Sequence, residues 1–205
     1  MSYQLDGNVI RDQSLEGEML VLDDVKCRGL VDCTFASGVL KLTSTRGKAV
    51  LLDSVVKDSE VIAVKRQRDY RLFGARFINC KFHGVYSGID FGREGRGEPL
   101  YDFGAVEGCD FTEATLDGCR FFNTDISSLR FPRWPHVVIP EPQRLAGDIA
   151  AMEWPGHLGK YMAIVARSPM DMKAAVLHIP SLVQLLQCTE AEARDAIDRL
   201  AGVLV

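Results

Sequence analysis

The stretch "CDFTEATLDGCRFFNTDISSLRFP", residues 109–132, sets two cysteines ten positions apart among phenylalanines and acids. Taken every fifth residue from just upstream, it reads Val106, Phe111, Leu116, Phe121, Ile126 and Phe131, all apolar. That period matches neither the 3.6 of a helix nor the 2 of an ordinary strand. Two places before these centres stand Gly104, Cys109, Ala114, Cys119, Thr124 and Leu129, of which all but the last are small. The cysteines therefore read as small inward residues of a repeat and not as a metal or redox pair.

The same count holds elsewhere. Leu5, Ile10, Leu15, Leu20, Val25, Leu30, Phe35 and Leu40 form one series, which Val50 and Val55 extend past a miss at Thr45. In "YRLFGARFINCKFHG" the centres are Leu72, Phe77 and Phe82, with Ala75 and Cys80 at the small position. Three blocks share one period and are separated by insertions. In the first block the fit is weaker, because Glu18, Asp23 and Arg28 occupy the small position.

This pattern resembles the pentapeptide-repeat proteins: a small residue, a polar one, Leu or Phe, then two polar or small ones. The resemblance implies a mainly β fold, a right-handed quadrilateral β-helix with four pentapeptides per coil, and a bacterial source. Coils stacked at roughly the interstrand distance of about 4.8 Å would line up Phe and Leu centres as interior ladders. Cys33, Cys80, Cys109 and Cys119 are then buried packing residues, since thiols facing a packed interior are inert.

The totals agree with a folded core. The chain has 205 residues, 47% hydrophobic, with a net charge of -4. No run reaches the ~18 apolar residues of a membrane helix, and the N-terminus lacks a basic and apolar leader, so a cytoplasmic location is expected. Six scattered cysteines without a CxxC pair argue against a disulfide scaffold and structural zinc.

Two interruptions carry functional expectations. Residues 84–104 read as a loop insertion, with Arg93, Glu94, Arg96 and Glu98 among Gly92, Gly95, Gly97 and Pro99. Its glycines lack the order and the following Lys-Ser/Thr of a phosphate cradle. The second is "AVKRQRDYR", where Lys65, Arg66, Arg68 and Arg71 cluster, a solvated face or a contact for an acidic partner. Between 101 and 131, acids including Asp110, Glu113 and Asp117 outnumber arginines and occupy polar slots expected to point outward. Some relatives in the resembled family use such a face to imitate DNA before a type II topoisomerase.

The repeat, residues 1–131, ends at a proline-rich hinge, 132–142, before an α-helical region, 143–205. Helices are expected in "QRLAGDIAAMEW", in "RSPMDMKAAVLH" with Ser168 as cap and Pro169 at the first position, in "PSLVQLLQC", and after the capping box of Thr189 and Glu192. The last carries an apolar stripe of Ala193, Ile197, Leu200 and Leu204. These helices would cap the β-helix, bind a partner or form a homodimer contact. The pair around "LLQCTEAEARDAIDRL" looks like a helix-turn-helix, but its acids disfavour phosphate, so no direct nucleic-acid binding is expected. Trp134 and Trp154 are expected to dock the helices on the rod.

No catalytic motif is present, and His83, His136, His157 and His178 are dispersed. The expectation is a non-enzymatic interaction protein without metal or cofactor that inhibits or neutralises a protein partner, an immunity-type role. Its contact residues would be Arg93, Glu94, Arg96, Glu98, Asp110, Glu113 and Asp117. Alternatives are a DNA-mimicking topoisomerase protector and a small enzyme with a loop-borne site.

Overall fold

The computed structural model describes residues 5–6, 8–23, 25–44, 49–69, 71–93 and 103–204. It is mainly β, 44% strand, and the parallel sheets stack as a β-solenoid. The strands run in chain order as β1 (Leu5–Asp6), β2 (Val9–Arg11), β3 (Ser14–Glu16), β4 (Met19–Leu22), β5 (Gly29–Val31), β6 (Thr34–Ala36), β7 (Val39–Leu42), β8 (Val50–Leu52) and β9 (Ser54–Lys57). They continue as β10 (Glu60–Arg68), β11 (Ala75–Ile78), β12 (Lys81–Ser87), β13 (Asp90–Gly92), β14 (Ala105–Glu107), β15 (Asp110–Asp117) and β16 (Cys119–Phe122). Two sheets of five parallel strands, β3-β6-β9-β11-β14 and β4-β7-β10-β12-β15, form adjacent walls. A third wall holds β2-β5-β8.

Pairing explains the five-residue period. Val9 lies beside Gly29 and Gly29 beside Val50, steps of 20 and 21 residues. A coil of 20 residues is four fives, so each apolar centre falls on the centre one layer away. Leu15, Phe35, Val56, Phe77 and Val106 thus make one in-register column, none more than 4% exposed. The steps of 21 shift the phase by one, which corrects two expected centres, Val50 and Val55. Leu51, Val56 and Val61 are interior, while Val50 and Val55 are half-buried. Val25 is 81% exposed, in a turn where Asp23 Oδ1 accepts the N–H groups of Val25 and Lys26.

Phenylalanines fill the C-terminal coils. Phe82 and Phe111 stack at 4.4 Å between centroids and Phe91 and Phe121 at 5.0 Å. The two columns meet edge to face, Phe111 to Phe121 at 5.3 Å. Each such side chain contributes about 2–3 kcal/mol by burial. The small slot works as expected and adds hydrogen bonds: Ser54 Oγ and Cys80 Sγ donate to the carbonyls of Leu52 and Ile78 two residues back. In turn Ser54 Oγ accepts the Cys33 N–H from the neighbouring coil.

The C-terminal region differs most from the sequence reading. The supposed hinge contains β17 (His136–Pro140), whose first four residues are buried. Pro135 and Pro140 bracket the strand, so proline occupies its ends and not its middle. The segment read as a helix from Ser168 holds β18 (Met172–His178). β18 runs antiparallel between β16 and β17 and closes the sheet β13-β16-β18-β17. Completion of an open sheet edge here outweighs the helix preference of alanine.

Four α-helices follow or interleave: α1 (Ala146–Ala151), α2 (Leu158–Ala166), α3 (Ile179–Leu186) and α4 (Glu190–Ile197). α2 stands where no helix was expected. The capping box of Thr189 and Glu192 is formed, and Ala193, Ile197 and Leu200 are buried, while Leu204 is 55% exposed and pairs with Val138 in an antiparallel bridge.

The β17–β18 pair is a two-sided partition. Val138, Ala174 and Val176 belong to the solenoid core, whereas Val137, Ile139 and Leu177 belong to the core made with the helices. Trp134 and Trp154 pack against the latter, and Trp154 Nε1 donates to the Ile149 carbonyl at 2.8 Å. The strands, and not helices alone, close this end. Among the described residues no helix is long and apolar enough to cross a membrane.

Candidate interaction surface

The first part of the expected loop is regular structure. β12 continues to Ser87 and β13 occupies Asp90–Gly92, so the insertion begins after Gly92. Glu94, Arg96 and Glu98 lie outside the described residues. Arg93 is exposed, and its backbone is fixed: its N–H donates to the Phe122 carbonyl at 3.1 Å and its carbonyl accepts Asn123 Nδ2 at 2.9 Å. The two ends of the insertion meet, for a Cβ on Gly104 would lie 2.0 Å from the Gly92 oxygen and 2.4 Å from that of Phe73.

The acids of the opening stretch are paired. Asp110 does not point into solvent as expected; it is 8% exposed, beside Arg130 Nη2 at 2.5 Å and accepting the Thr112 hydroxyl at 2.7 Å. Burial pushes its carboxyl up, but the Thr112 hydrogen bonds and the Arg130 charge outweigh this and leave it lowered. Glu113 contacts Lys81 Nζ and lies 3.3 Å from His83 Nδ1; the Lys81 hydrogen bond holds it below its ordinary value. Asp117 accepts the Ser87 hydroxyl at 3.0 Å. With Asp110 and Glu113 paired to cations, this face presents less free negative charge than the sequence count suggests.

The basic run is built into a protrusion that sequence reading could not see. β10 pairs with β12 as Glu60 to Lys81 through Ala63 to Gly84, then resumes as Gln67 to Tyr86 and Arg68 to Ser87. Val64, Lys65 and Arg66 therefore stand opposite Val85 alone, a bulge with two extra residues. Gly84 permits the departure: with φ +91°, its Cβ would sit 2.2 Å from the Ala63 oxygen. Inside the bulge Gln67, 3% exposed, donates Nε2 to the carbonyls of Lys65 at 2.8 Å, Ser44 at 3.3 Å and Leu42 at 3.4 Å.

That inward amide ties the protrusion to the preceding coil, and Lys65, Arg66 and Arg68 face solvent. Among the described residues these three make no ion pair, unlike Arg71, whose Nε is 3.8 Å from Asp90. Val64 at the tip is 55% exposed.

The histidines are less dispersed than the sequence implies. His136 and His178 are register partners on β17 and β18, with ring centroids 4.8 Å apart. His136 Nε2 accepts the Leu116 N–H at 3.2 Å, joining the end of β15 to the partition. Burial lowers both histidines; the neighbouring His178 lowers His136 further, while Asp117 raises each. Arg66 also lowers His178 slightly. His178 Nδ1 lies 2.7 Å from Ser181 Oγ, a contact between the N-cap of α3 and its first turn that fixes the helix start.

The remaining candidates are committed to structure. Burial pushes the Cys119 thiol up to about 12, and Cys109 is raised by its contact with Cys80 and by burial. A cleft of about 310 Å³ separates α2 from the solenoid, lined by Arg120, Tyr161, Ser168 and Met172 among others. Two of its polar side chains have partners: Arg120 binds Asp90, and Ser168 Oγ donates to the Val165 carbonyl. No family model, curated protein or solved structure matches the chain.

Proposed function

We propose that this protein is a non-enzymatic interaction protein whose rigid solenoid binds a protein partner and inhibits or neutralises it. The coil we propose is the right-handed, four-sided β-helix of the pentapeptide-repeat proteins, a reading supported by coil steps of 20 and 21 residues and by small residues at the inward slot. The observation that carries the functional reading is the bulge of β10. A stack of paired strands gives up ladder bonds there to raise Lys65 and Arg66 beside the paired Arg68, and a buried glutamine holds the raised segment in one shape. A preorganised protrusion loses little entropy on binding, which suits a dedicated protein surface.

Inhibition follows from rigidity: a rod that does not yield can cover a partner's working surface without adapting to it. The topoisomerase reading is weaker on these grounds, because Asp110 is buried and paired and Glu113 is bound to Lys81.

The test is capture of partners on the tagged, full-length chain from a nuclease-treated lysate of its own cells. The reading predicts one protein in stoichiometric amount, whose activity falls when purified chain is added. Recovery of the chain alone, or of a partner whose activity is untouched, contradicts it.

A further inference from the structure

The geometry points to Val64–Arg68, the β10 bulge and the two residues that follow it, as the docking site for an acidic protein segment. This rests on the interaction reading and names its surface and the chemistry of the occupant. Three exposed cations in four positions, with no ion pair to any of them among the described residues, lower the energy of carboxylates that approach them. They are not a loose solvated run, since Gln67 between them is buried and bonded to three carbonyls. The amide fixes the backbone from which the cations project.

The surroundings select the kind of partner. Glu60 begins the same strand, its side chain 52% exposed, and the exposed Asp69 directly follows Arg68. These acids flank the cations and repel an extended polyanion, so a short acidic segment fits where a long backbone of phosphates does not. Nucleic-acid binding typically engages about 6–10 phosphates, more than three cations on a chain of net charge -4 can neutralise. Val64, 55% exposed at the tip, adds an apolar contact that phosphate does not satisfy and a side chain does. The occupant is accordingly a peptide segment with two or three carboxylates around an apolar residue.

The experiment uses three defined probes against the full chain: a fluorescein-labelled peptide with four glutamates flanking a central leucine, a short labelled DNA duplex, and vesicles containing phosphatidylserine. Binding is read by anisotropy or flotation at about 50 and about 300 mM salt, where screening differs strongly. The inference predicts saturable peptide binding, weaker at high salt and reduced roughly tenfold or more in K65E/R66E/R68E. A V64S variant, which removes the apolar side chain and leaves the local charge unchanged, also binds the peptide more weakly.

No saturable peptide binding, equal binding by the charge-reversed chain, or tighter binding of DNA or vesicles overturns the inference. Folding of each variant is checked by circular dichroism, and K65A/R66A/R68A, which removes charge without reversing it, gives the same loss in smaller degree. The captured partner separates the two levels. Retention by the reversed chain leaves the interaction reading standing and removes the bulge as its site, whereas capture of nothing by the unaltered chain removes the reading itself.

Discussion

Arg120 on β16 grips Asp90 on the neighbouring strand β13 with both arms of its guanidinium, Nε to Oδ1 at 2.6 Å and Nη2 to Oδ2 at 2.8 Å. The carboxylate side chain is 5% exposed while the arginine is 47% exposed, so the pair is an acid buried in the wall and sealed from outside. The forked geometry matches a carboxylate in a way that lysine cannot. Arg120→Ala should cost about 2 kcal/mol, a value kept modest because solvent already screens the arginine. Arg120→Lys should recover only part. Urea denaturation checks both, and an Arg120→Ala midpoint equal to that of the unaltered protein would show the pair to be idle.

The phenylalanine columns set the second expectation. Phe111 is fully buried and touches Phe82, Phe91, Phe121 and Phe131, whereas Phe131 is only partly buried at the end of the stack. Phe111→Ala should destabilise by about 3–5 kcal/mol through a cavity that neighbouring coils cannot close. Phe131→Ala should lose clearly less in the same denaturation series. The reverse order would contradict the packing described.

The histidine seam gives a pH dependence with a definite sign. Both His136 and His178 have folded values below the ordinary value of 6.5, chiefly through burial. The unfolded chain therefore binds more protons just below that value, and stability rises with pH there. Their contribution is complete above 6.5 and is lost as pH falls toward the lowered folded values. Melting temperatures between about pH 7.5 and about pH 5 should decline, and His136→Gln should flatten the decline, since glutamine does not titrate. An unchanged slope in that variant would exclude His136 as the cause.

The glutamine under the bulge is testable apart from binding. Gln67→Leu leaves the carbonyls of Leu42 and Ser44 without the amide that now reaches them. The bulge should loosen, and trypsin should cut after Lys65 or Arg66 faster than in the unaltered protein under native conditions. Equal cleavage rates would mean that the amide does not hold the protrusion.

How much of this was legible in the sequence follows from which contacts are periodic. The apolar centres from Ile10 to Leu40 and from Leu72 to Phe121 were readable, apart from Val25, because a coil of four fives repeats the pattern within a short window. One added residue per coil moved the true centres to Leu51 and Val56, a shift that only pairing with Leu30 and Phe35 reveals. β18 was hidden for another reason: its alanines favour helix locally, and its strand form depends on β16 and β17, distant in sequence. The bulge was visible as charge but not as shape, since its two extra residues exist only relative to β12. His136 and His178 look unrelated until the strands that carry them pair.

Hydrogen exchange of the protein, free and with its captured partner bound, measures the central claim most directly. The account predicts that the partner slows exchange at Val64–Arg68, in the rest of β10 and in the adjoining strand β12. Slowing confined to α3 and α4, with the bulge unchanged, would contradict it.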